Sequence, residues 1–163
     1  MRVAMKTLVF AGLALAFALA PGAGIAQAND AVRCQIFEIK ASHGDVETID
    51  RKLSAIETKL RKPPFRAWNV FEALATHRVT AERRRPVKLS LDPGGEMTLL
   101  YRDTSRAEGK KPRLRLSLTL DDEDGKRLMD ATIQLDSGDW YLVGGESLGD
   151  DATYVLATGC RAR

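Results

Sequence analysis

Apolar residues recur along this chain with two periods, and each predicts a different element. Val46, Ile49, Leu53, Ile56 and Leu60 are spaced three, four, three and four residues apart, which sets all five on one face of an N-terminal amphipathic helix. Asp45 reads as its N-cap, and Glu47 with Arg51 and Glu57 with Arg61 supply i,i+4 ion pairs in the favourable direction. Pro63-Pro64 ends the run, since proline has no amide hydrogen and disfavours a helical residue before it.

Elsewhere the period is two. Val32 to Lys40 reads as a first strand, with Ser42-His43-Gly44 as a turn. Leu74 to Glu82 reads as another, interrupted by Arg83-Arg84-Arg85-Pro86. Val87, Leu89 and Leu91 alternate with polar residues, Asp92-Pro93-Gly94-Gly95 turns the chain, and Met97 to Arg102 runs back. The clearest alternation is Leu114, Leu116, Leu118 and Leu120 against Arg113, Arg115, Ser117 and Thr119, which defines one buried and one wet face. Asp121 to Gly125 reverses the chain into Met129, Ala131, Ile133 and Leu135, and Asp136 to Asp139 leads into Trp140–Val143. Gly144-Gly145 reads as a bend or bulge before a last strand, Tyr154–Cys160. Phe65, Trp68, Val70, Phe71 and Leu74 concentrate aromatic and aliphatic mass where helix gives way to sheet, as a core cap does.

Serial hairpins with wet outer faces predict an α+β, mainly β, fold. The expected architecture is an antiparallel β-sandwich or strongly curved sheet of about eight strands with one N-terminal amphipathic helix. The order of strand, helix, Lys62-Pro63-Pro64-Phe65 and then hairpins resembles uncharacterised exported bacterial proteins, a resemblance that implies no activity and no catalytic residue.

Residues 1–28 follow another logic. Arg2 and Lys6 precede the apolar stretch Thr7–Ala20, and Ala26-Gln27-Ala28 offers small residues for cleavage before Asn29, so the segment reads as a signal peptide. Residues 29–163 then form one β-rich domain with no transmembrane anchor after processing, periplasmic or secreted. The whole chain has 25 basic and 22 acidic side chains. Without Arg2 and Lys6 the balance is 23 to 22, which removes the impression of a basic protein. An asymmetry survives: residues 29–120 hold 19 basic and 12 acidic side chains, and residues 121–163 hold 4 and 10.

Cys34 and Cys160 lie near opposite ends of the processed chain. An even cysteine count in an exported protein favours a disulfide, with two free thiols as the alternative. Bonded, they make the first and last strands neighbours, with Cα atoms within about 7 Å.

Candidate chemistry is sparse. Asp121-Asp122-Glu123-Asp124-Gly125 fails as a calcium loop, because Leu120 and Ala131 occupy the positions where the end ligands belong. His43 and His77 are the only histidines and have no cysteine motif beside them, so no zinc site is expected. No serine lies in a Gly-x-Ser-x-Gly elbow and no glycine pair belongs to a phosphate-binding loop, so neither a catalytic set nor a cofactor is expected. What remains is basic: Arg83, Arg84 and Arg85, then Lys110, Lys111, Arg113 and Arg115. The leading expectation is a non-catalytic domain acting through protein–protein contacts in the cell envelope, with those cations as its interaction surface. A module for an anionic glycan or lipid headgroup is the alternative, a hydrolase with an unrecognised site the third reading, and nucleic acid is not expected in an exported protein.

Overall fold

The computed structural model describes residues 31–163; the segment expected to be a signal peptide, with its expected cleavage before Asn29, lies outside the described residues. The chain runs β1 (Ala31–Ser42), β2 (Thr48–Ile49), α1 (Glu57–Leu60), β3 (Val70–Glu82), β4 (Pro86–Ser90), β5 (Glu96–Ser105), β6 (Arg113–Asp121), β7 (Arg127–Asp136), β8 (Trp140–Gly149) and β9 (Ala152–Ala162). Two sheets result. The first, curled into a half-barrel, has the order β2-β3-β1-β9-β8, and the second has the order β4-β5-β6-β7. Among the named strands every pairing is antiparallel except β2 with β3. The mainly β class and the hairpin series agree with the sequence pattern, and nine strands replace about eight through the two-residue β2.

The alternating leucines decide how the sheets meet. Leu114, Leu116 and Leu118 are wholly buried while Arg113 and Arg115 stand exposed. They pack between the sheets against Val32, Cys34 and Ile36 of β1 and Leu156 of β9. Each fully buried leucine contributes about 1.5–3 kcal/mol. The opposite face of β1 carries Phe37, Ile39 and Ala41 into a second core with Leu53, Ile56, Leu60 and Phe71. Phe65 and Trp68 pack on its edge, as a core cap should, whereas Leu74 stays exposed.

The continuous helix expected from Val46 to Leu60 does not form. Thr48 and Ile49 instead add a short parallel strand to β3, where the Thr48 amide donates to Asn69 O at 2.8 Å and the Asp50 amide to Phe71 O at 2.9 Å. These bonds occupy the edge of β3 where it begins and hold the chain extended. Asp50, not Asp45, then caps a 3-10 turn over Arg51–Leu53 by accepting the Lys52 amide at 2.9 Å. Leu53, Ile56 and Leu60 reach the core because the 3-10 and α turns preserve their spacing of three and four. Val46 is released to solvent at 72% exposure. The Glu57–Arg61 pair forms at 2.9 Å, but Glu47 also pairs with Arg61 rather than with Arg51.

Cys34 and Cys160 are disulfide-bonded across directly opposed positions of β1 and β9, with Cα atoms 4.1 Å apart. The Cys160 carbonyl accepts the Gly138 amide on its other side, so the cysteines form a non-hydrogen-bonded pair, where side chains approach most closely. The buried bond accords with an oxidising, exported environment. No helix among the described residues is long and apolar enough to cross a membrane.

Candidate functional site

Antiparallel topology sorts the connections into two poles. The start of β1, the ends of β3 and β9, the β3–β4 turn, the β5–β6 loop and the β7–β8 turn share the pole of the disulfide. All seven cations singled out from the sequence lie there, on the β3–β4 turn and around the start of β6. Three of them are already countered: Arg85 by Glu82 at 2.7 Å, Arg113 by Asp136 at 2.8 Å and Arg115 by Asp103 at 2.5 Å. Arg83 donates to the Arg102 carbonyl at 3.1 Å, and Arg84 sits at φ 60° in the turn. Lys111 faces the β7–β8 turn, where its charge acts on Asp139. Only part of the charge of these segments therefore remains for a ligand.

A different set of cations converges on the outer face of the first sheet. The helical segment covers the far half of that face; its near half is an open groove of about 1150 Å³. In the β1–β9 register Arg33 stands directly opposite Arg161, and in the β1–β3 register Gln35 stands opposite Arg78. These three arginines are exposed and form no ion pair with a described residue. Like charges set directly opposite one another across strands destabilise a sheet. The arrangement thus has a cost that an anion would relieve.

The walls of the groove are fixed. Lys59 on α1 reaches Asp139 of the β7–β8 turn at 2.8 Å, closing one end. Burial pushes the Asp139 carboxyl up, but the Lys59 ammonium, the Trp140 amide and the Lys111 charge outweigh it and hold the carboxyl below its ordinary value. Trp140 lies across Gly159, where a Cβ atom would come within 2.6 Å of the indole, so only glycine lets the ring rest on the strand. Phe37 stacks on Trp140 with ring centroids 5.1 Å apart. The pattern contained a signal for this site: the antiparallel register that opposes Cys34 and Cys160 also opposes Arg33 and Arg161.

A buried polar cluster around Glu38 carries no signal in the sequence pattern. Glu38 has the inward parity of Val32, Cys34 and Ile36, and its side chain is wholly buried. Its Oε2 accepts the Asp92 amide at 2.7 Å and the Tyr154 hydroxyl at 2.8 Å, and its Oε1 lies 2.5 Å from Nε2 of His77. A carboxylate is tolerated in a core when its oxygens are satisfied in this way. Through Glu38 the cluster ties the first sheet to the β4–β5 turn. His43 bonds the Ala67 carbonyl at 3.0 Å on the surface. Among the described residues no three His, Cys, Asp or Glu side chains are grouped to hold a metal ion.

Compared with protein-family models, with curated proteins and with solved structures, the chain matches none.

Proposed function

We propose that this chain is an anion-binding module that holds a polyanionic glycan across the outer face of its first sheet. The observation that carries the reading is the opposition of Arg33 and Arg161, with Arg78 one strand away and no carboxylate paired to any of them among the described residues. Gln35 offers hydrogen bonds between the cations, and the Trp140 indole at the groove edge offers an apolar surface for a sugar ring. The expected surface at Arg83–Arg85 and Lys110–Arg115 has less support, because Glu82, Asp103 and Asp136 already answer part of it. It contributes at this pole as long-range attraction.

Calorimetric titration with polygalacturonate, dextran sulfate and neutral dextran tests the reading. The two polyanions bind with affinity that falls steeply with salt, and dextran does not bind. Arg33→Gln and Arg161→Gln each weaken binding while leaving the fold as stable or up to about 1 kcal/mol more stable, since each removes a like-charge contact. Binding that is indifferent to salt, or unchanged in both variants, rejects it.

A further inference from the structure

The opposite pole holds a site of contrary chemistry. Strands β7 and β8 share a turn at the disulfide pole but belong to different sheets, and where they diverge a cavity of about 490 Å³ opens between the sheets. Its wall is aliphatic: Leu91, Leu120, Leu128, Met129, Val143 and Leu156. Its size and apolar lining are those of a small-molecule pocket. Tyr154 also lines it, held in place by its bond to the buried Glu38. The mouth is built without slack, because a Cβ atom on Gly95 would lie 2.3 Å from the Asp121 carbonyl, so the β4–β5 turn rests directly on the β6–β7 turn.

The charge at that mouth selects the occupant. Asp121 lines it, and the Glu123 carboxylate lies beside Gly94 of the lining. Asp122 and Asp124 follow in the same turn, against Lys126 and the Arg127 guanidinium that pairs with Asp121. The balance is negative, which repels a carboxylate or phosphate head. Leu128, half exposed at the rim, extends the apolar wall outward.

The geometry points to this cavity as a binding site for a single aliphatic chain bearing a cationic or neutral head. The chain lies between the sheets against Val143 and Leu156, and the head stays in water beside Asp121 and Glu123. The site is independent of the glycan groove, being at the other pole and using none of its arginines.

Titration calorimetry of the folded protein with dodecyltrimethylammonium, dodecanol and laurate, each below its micelle-forming concentration, tests this. Dodecyltrimethylammonium binds one per chain and at least tenfold tighter than laurate, and shortening the alkyl chain weakens binding about fourfold per methylene. Val143→Trp fills the cavity and removes binding. Leu128→Lys, at an exposed position, leaves the core intact and shifts the preference from the cationic head towards laurate. The proposal is overturned by an absence of saturable binding to the wild-type chain, by laurate binding as tightly as the cation, or by a head preference that Leu128→Lys does not move.

Discussion

Glu38 and Tyr154, 116 residues apart in the chain, meet at 2.8 Å, the tyrosine hydroxyl donating to a carboxylate that has no contact with solvent. The same oxygen takes the Asp92 amide, so one side chain of β1 ties β9 to a turn of the other sheet. Glu38→Ala takes this acceptor from the buried Tyr154 hydroxyl and lowers stability by about 1–3 kcal/mol. Tyr154→Phe removes one donor and costs about 1–3 kcal/mol. Urea unfolding at neutral pH measures both, and a loss below about 1 kcal/mol for Glu38→Ala contradicts a structural role.

The disulfide closes almost the whole described chain, joining residues 126 apart. The double variant Cys34→Ala/Cys160→Ala loses about 4–5 kcal/mol through the larger entropy of its unfolded state. Domain stability is typically about 5–15 kcal/mol, so the loss is severe. Thermal melting of the variant against the oxidised protein reads it directly, and coincident melts reject it.

Asp139 provides a pH test. Its carboxyl is held below the ordinary value despite partial burial, chiefly by Lys59. The stabilisation is complete above the carboxyl's unfolded value and is lost as pH falls through the lower folded one. Carboxyl-detected NMR titration shows an Asp139 midpoint below that of a free aspartate, and Lys59→Ala moves it upward. An unmoved midpoint means that the ion pair does not form in solution.

The broken helix separates two residues that periodicity treats alike. Leu53 is fully buried and Val46 is 72% exposed. Leu53→Ala lowers stability by about 2–5 kcal/mol, whereas Val46→Ser changes it by less than about 0.5 kcal/mol. Denaturant unfolding of the two variants discriminates this geometry from a continuous amphipathic helix, which would make both costly.

Sequence pattern alone determined every strand but β2, because period-two alternation is a local consequence of the pleat. The leucines of β6, the glycine-rich turns and the arginine–proline break before β4 needed no tertiary information to be read. The cysteine pair went further, since a disulfide between residues near opposite ends of the described chain constrains which strands are neighbours. Tertiary structure decided whatever depends on register and on competition for an edge. Residues 46–60 satisfy helical periodicity, yet Thr48 and Ile49 bond to the start of β3, and a local pattern cannot show that an unpaired edge lies nearby. Isolated Arg33, Arg78 and Arg161 carry no motif, and Arg33 and Arg161 lie 128 residues apart in sequence yet directly opposite each other on neighbouring strands. Glu38 likewise looks like an ordinary strand residue until β9 and the β4–β5 turn supply its donors. Pairing between distant segments creates these sites, and that pairing is fixed by the packing of the whole chain.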